Sequence, residues 1–355
     1  TGCKTMVLGL LSMCTGAPLG PEMPMIGLGC GIGAFIRDYV DFEDPDDSKL
    51  IVLAGAAGAF GAVLNSPICG TIVVIEIGAP PKDYMESTTV LAFAAICAYC
   101  VVRPLVSVTF AVQPEENTRL RDEWTPEIND VFIGILIGII SSFIAILFMI
   151  FRISMKQVFV RTRLAWPEDA KLMREVTPLV LGGSIIGFIM YWLPLTVSYG
   201  FYVFNYLLTF GPTDDVSVTL LALTIIFRLL STAIAMTCGF RGGIFISCGT
   251  TGLMCGILAN KITELPLGLC VGCFIAGIPS GITAMPLLYA TVVALSFSFD
   301  AHQSAPIFAA SLTSYLFAAG IGALEYIAEI PNTNFEINLT KIFGSENSSN
   351  INEKL

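Results

Sequence analysis

The chain has 355 residues, 55% of them hydrophobic and only 13% charged, with a formal net charge of −10. Soluble domains carry about 25% charged residues, so most faces of this protein are not built for water. An acidic balance without any basic, aromatic-interleaved patch excludes nucleic acid as a partner. The single histidine, His302, leaves almost no material for metal clusters or for Ser–His and Cys–His catalysis, so no enzyme and no cofactor are expected.

Residues 50–75, 131–151, 176–213 and 265–299 contain no Asp, Glu, Lys or Arg. Each stretch is long enough to cross a hydrocarbon core, which takes about 20 residues of helix. The class is therefore an all-α, polytopic, integral membrane protein whose main partner is the lipid bilayer. Apolar helices are predicted near 5–16, 22–37, 50–63, 67–79, 88–111, 128–155, 174–195, 215–239, 244–261, 266–278, 282–299 and 304–323.

The sequence opens at Thr1, already inside an apolar segment and without an initiator Met or a visible signal peptide, so the true N-terminus is expected upstream. The next feature is "GAPLGPEMP", where Glu22 stands between Pro21 and Pro24 with apolar flanks. Pro21 suits a first helical position, because the N–H it lacks has no partner there anyway. Glu22 then falls in the first turn, where the helix dipole favours an anion. If its side chain swings away, the same free N–H groups are able to hold a dissolved anion. A carboxylate competing with a small anion for one seat is a gate. A surface charge at a helix start is the plainer reading of Glu22, and the local sequence leaves both open.

Further along, "DFEDPDD" (41–47) and "QPEENTRLRDEWTPEIND" (113–130) read as solvated acidic connectors. After the 131–151 span, Arg152, Lys156, Arg161, Arg163, Lys171 and Arg174 lie close together, which makes that connector cytoplasmic by the positive-inside rule. Glycines and prolines, rather than polar loops, divide several helices: "TGAPLGPEMP", "LNSPICG", "CGFRGGIF" and "AGIPSGITAMP". Such breaks at membrane depth survive only where protein or a water-filled cavity satisfies the freed backbone groups. Broken helices of this kind mark ion and substrate pathways in transporters, and kinked helices in a tight bundle are the plainer alternative for any single break. In "GFRGGIFIS", Gly242 and Gly243 break the chain, and the helix starting near Ile244 offers the N–H groups of Ile244 and Phe245. A plain helix–helix contact is the alternative for this glycine pair.

Two segments echo each other. "AGAAGAFGAVLNSPICGTIVV" (54–74) and "AGIPSGITAMPLLYATVV" (276–293) both run small residues into a proline and then a β-branched helix. Compositional bias or a repeated half-architecture accounts for this equally well. The eleven cysteines lie mostly in apolar runs, and the lone C-x-x-C of Cys270 and Cys273 reads as buried small hydrophobes rather than a metal or redox site. The tail 331–355 is polar and expected to be disordered, with N-x-(S/T) matches at Asn338 and Asn347. Residues 1–330 are taken as the transmembrane domain.

In this order, the motifs resemble the CLC family of chloride channels and chloride/proton exchangers. "GAPLGPEMP" is similar to that family's G-x-x-x-G-(K/R)-E-G-P segment, with Gly20, Glu22 and Pro24 retained. Residues 54–76 match its small-residue helix and N-x-P turn. "GGIFIS" resembles its G-G-(I/x)-F-x-P segment, and Tyr326 falls twenty residues after Pro306, as the family's pore tyrosine does, with an interfacial belt residue as the alternative. The resemblance implies an inverted-repeat bundle with short, broken helices, working as a homodimer with one pore per subunit and chloride as the transported ion. It makes Glu22 the gate. Gly20, Pro21, Met23, Gly243, Ile244, Phe245, Ile246 and Tyr326 become the anion-binding surroundings, with Ile244 and Phe245 giving backbone N–H groups.

Departures from the pattern are informative. The family's G-S-G-x-P segment is expected upstream of residue 1, so the early helices are missing from this chain. Pro21 replaces a Lys or Arg, Met23 a Gly and Ser247 a Pro. The inner glutamate that passes protons in exchangers corresponds to Ile77, while Glu76 matches a different family acid. Isoleucine carries no proton, so the resemblance leans towards passive chloride conduction. The alternatives are an exchanger without that glutamate and a truncated subunit that does not conduct.

Overall fold

The computed structural model of the chain describes residues 2–40, 44–77, 83–105, 120–167, 169–198, 200–210 and 216–321. Tyr326 and the tail with Asn338 and Asn347 lie outside the described residues. The described part is built from α1 (Gly2–Cys14), α2 (Glu22–Val40), α3 (Pro45–Val63), α4 (Pro67–Ile77), α5 (Tyr84–Val102), α6 (Ile128–Leu164), α7 (Lys171–Trp192), α8 (Phe201–Phe210), α9 (Val218–Cys238), α10 (Phe245–Thr263), α11 (Leu267–Thr283), α12 (Pro286–Ser296) and α13 (Ala301–Gly320). A short 3₁₀ turn, Pro194–Thr196, joins α7 towards α8. In hydrocarbon, a helix is the way for a single segment to satisfy its own backbone, and the apolar runs obey it. Helices α5, α6, α7, α9 and α10 are long and apolar enough to cross a membrane.

Three of the four uncharged stretches are not single spans. Residues 50–75 divide between α3 and α4, 265–299 between α11 and α12, and 176–213 between α7, the 3₁₀ turn and α8. Helix α8 was not among the sequence expectations. The cause of the first two breaks is local. Asn65 (φ 52°) and Ala284 (φ 59°) adopt left-handed backbone, and Pro67 and Pro286 then open the next helix with no N–H to give the preceding turn. The break expected across "AGIPSGITAMP" is narrower than its composition suggests: α11 runs through Pro279 to Thr283. The expected helix 88–111 ends at Val102, and the one at 128–155 continues through its basic residues to Leu164. At 37 residues and about 1.5 Å each, α6 is roughly 55 Å long, well beyond a hydrocarbon core of about 30 Å.

The sequence echo is structural. Each half runs from a helix of small residues through a left-handed residue into a proline-headed helix of 11 residues, α4 and α12, and those two short helices pack together. Small residues let the backbones meet. A methyl group on Gly29 of α2 or on Gly55 of α3 would run into the other residue's carbonyl, so this pair admits no side chain. Cys270 and Cys273 are buried in α11, free of disulfides.

One expectation about the connectors needs correction. The end of the 113–130 connector is not solvated, because Trp124 is 2% exposed and Asp130 is buried. The Asp130 carboxylate accepts from the Trp124 indole N–H (2.9 Å) and from the Glu127 backbone N–H (3.0 Å). Gln303 of α13 donates to the carbonyls of Arg121 and Trp124. A buried carboxylate with two donors is satisfied, so its charge does not force this segment into water.

Candidate functional site

The segments before α2 and before α10 meet in a two-residue antiparallel pairing. Gly20 N–H donates to the Gly243 carbonyl and Gly243 N–H to the Gly20 carbonyl, both at 2.7 Å. The Ser12 hydroxyl of α1 accepts from the Arg241 N–H at 3.0 Å, which holds the same approach from the other side. Helix α2 starts at Glu22 rather than at Pro21: the Pro21 carbonyl accepts the Met25 N–H, so the proline caps the helix.

Glu22 is 2% exposed, and its Oε1 accepts from the Ile246 N–H at 2.7 Å, in the first turn of α10. Its Oε2 is buried and has no hydrogen-bond partner among the described residues. The carboxyl group thus sits at the first turn of its own helix and against the N-terminus of a second, where two sets of free N–H groups and two dipole ends converge. The seat has no spare volume: a methyl group on Gly20 or Gly243 would collide with the Glu22 carboxylate. These two glycines are needed for that close approach.

The structure therefore brings together Gly20, Pro21, Glu22, Gly243 and Ile246. The donor to Glu22 is Ile246, not Ile244 or Phe245; α10 begins at Phe245 with Ile244 as its cap, so the first suitably directed N–H lies one residue further on. Phe245 turns its ring onto Tyr289 of α12, with centroids 4.5 Å apart and planes 24° apart. Met23 packs into the apolar cluster of α2, α3 and α4, and Ile77, the last residue of α4, belongs to the same cluster. Ser247 is buried, its hydroxyl 3.3 Å from that of Thr232 on α9.

Two charged residues acquire positions that the sequence did not assign. Glu76 accepts from the N–H groups of Leu287 and Leu288, both at 2.8 Å, and so caps α12 with both oxygens. Arg228, fully buried within α9, donates to the carbonyls of Leu195 (3.2 Å) and Ser198 (3.3 Å) beside the 3₁₀ turn. Its signal was available, since it is the one charge in the apolar run of α9, and a lone charge at membrane depth marks a special position.

A family model described as "Voltage gated chloride channel" matches residues 1–319. Among curated proteins, the H(+)/Cl(-) exchange transporter ClcA of Vibrio vulnificus is 25% identical over 261 residues, covering 73% of this chain and 52% of the relative. The protein of the same name from Klebsiella pneumoniae is 25% identical over 259 residues, with the same two shares. The chain thus spans about half the length of these relatives. Two solved structures share the fold. A slow cyanobacterial Cl-/H+ antiporter gives a TM-score of 0.73 at 19% identity, over 88% of this chain and 71% of that one. A CLC-type fluoride/proton antiporter gives 0.71 at 18%, over 89% and 74%.

Proposed function

The chain belongs to the voltage gated chloride channel family, and from that premise we propose that it moves chloride or a similar small anion across the membrane, with Glu22 as the gate. The observation that carries this reading is the half-satisfied seat of Glu22, with one oxygen on the Ile246 amide and the other without a partner. Converging N–H groups at helix ends suit any anion, and a carboxylate held by one hydrogen bond is displaceable by one that is free. Half-charges at helix ends also suit transit better than a full cation, since the ion must leave again.

Passive conduction is supported by Ile77 at the inner position, where no proton carrier is available. Coupled exchange with protons is the second reading, favoured by the exchangers and antiporters among the similar proteins. In both, the working unit is a homodimer with one pathway per subunit, and Tyr326 supplies a hydroxyl donor at the inner end. A subunit that does not conduct is the third reading, because Met23 stands where the family keeps a glycine beside the gate. Reconstituting the full-length protein and recording chloride and proton flux together separates the three. Chloride flux without proton movement is expected. A fixed proton-to-chloride ratio would establish the exchanger, and no chloride flux at all the silent subunit.

A further inference from the structure

The charge of the chain reverses at the corner between α6 and α7. The net charge is −10, yet between 152 and 175 basic residues outnumber acidic ones six to three. The C-terminal dipole of α6 favours Arg161 and Arg163 in its last turn. The same rule disfavours Lys171 and Arg174, which occupy the first turn of α7 with no acidic residue among them. Among the described residues, Asp169 and Glu175 included, none of these four cations has an ion-pair partner. They are nevertheless held together, because Arg174 Nε donates to the Arg163 carbonyl at 3.2 Å and ties the two helix ends. Helix dipoles and ion pairs therefore leave the group unexplained.

Its depth narrows what it meets. The charge-free stretch of α7 opens at Val176, so Arg174 stands at the hydrocarbon edge and its bond brings the end of α6 to the same level. Arg161, Arg163 and Lys171 are exposed. So are Trp166, Leu172 and Met173, at 40%, 71% and 47%. Apolar side chains and an indole set among cations suit the boundary between acyl chains and headgroups, not open water. We propose that this corner binds the phosphate-bearing headgroups of anionic lipids, with Arg163 and Arg174 as the phosphate ligands. A guanidinium presents a planar fork of N–H donors that matches a phosphate, and clustered cations at the end of a span attract anionic lipid. Arg161 and Lys171 add charge, while Trp166, Leu172 and Met173 reach the acyl boundary.

The test titrates the purified full-length protein with dioctanoyl phosphatidic acid, whose headgroup is a bare phosphate, and reads the ligand-induced rise in melting temperature. Dioctanoyl phosphatidylcholine, with the same tails and no net charge, is expected to give no comparable rise. Arg163→Gln keeps the carbonyl that Arg174 uses, and its apparent affinity for phosphatidic acid is expected to fall about tenfold, the scale of one lost hydrogen bond to a charged group. Arg121→Gln, just before the opposite end of α6, should leave that affinity unchanged. Full affinity in Arg163→Gln, an equal loss in Arg121→Gln, or equally tight phosphatidylcholine would overturn the proposal. Inorganic phosphate binding as tightly as phosphatidic acid would overturn the assignment to lipid.

Discussion

Glu22 and Ile246 are 224 positions apart in the chain and 2.7 Å apart in space, carboxylate oxygen to backbone N–H. The bond closes one helix start onto another and leaves the second Glu22 oxygen without a partner. How firmly that carboxylate is seated decides whether a free anion displaces it.

Glu22→Gln keeps the shape and the acceptor for Ile246 but carries no charge at any pH. Chloride flux in the variant is expected to exceed that of the unaltered protein at neutral pH and to lose its dependence on pH. Efflux from vesicles at acidic and at neutral pH measures both. Flux and pH profile unchanged from the parent would mean that Glu22 is not the gate.

Gly20→Ala places a methyl group where the three nearest atoms all belong to the Glu22 carboxyl group. Overpacking of this kind costs about 1–3 kcal/mol. In a Glu22→Ala background those atoms are gone, and the same change should be nearly neutral. Thermal unfolding of the four proteins in detergent gives the double-mutant cycle. Equal effects in both backgrounds would show that Gly20 is required for some reason other than the seat.

Glu76 differs from Glu22 in that both of its oxygens are bonded. It should therefore act as a fixed cap and not as a moving group. Glu76→Ala is expected to lower stability by about 1–2 kcal/mol, in the range of a lost helix cap, and Glu76→Gln by about half as much. The melting temperatures of the two variants provide the check.

Arg228→Met is expected to be more damaging than its conservative size suggests. It leaves the half-buried Leu195 and Ser198 carbonyls without the guanidinium, and an acceptor shielded from water that loses its donor costs about 1–3 kcal/mol. Arg228→Lys, which keeps a donor, should fold with a smaller loss. The yield of monodisperse protein and its melting temperature would rank the two.

Much of the fold was legible in the sequence because apolar runs and helix breakers act locally. The starts at Glu22, Pro67 and Ile128 arise from their own neighbours. So does the paired break at Asn65 and Ala284, which two similar segments announced. The missed helix α8 and the continuous path of α11 through Pro279 had no such local signal. Tertiary packing decided the second, since α11 is buried along almost its whole length and helical backbone alone satisfies its groups there.

The candidate site divides in the same way. Composition and the placement of proline, glycine and glutamate determined a polytopic helical membrane protein with an acidic residue at a broken helix start. These are properties of consecutive residues and of their transfer from water. Only the tertiary structure decided which N–H meets Glu22, that the second oxygen stays unsatisfied, that Glu76 caps α12 and that Arg228 reaches the carbonyls of the 3₁₀ turn. Each of those contacts joins segments tens to hundreds of residues apart, so no local propensity encodes it. It exists because close-packed helices leave one arrangement in which the buried polar groups find partners.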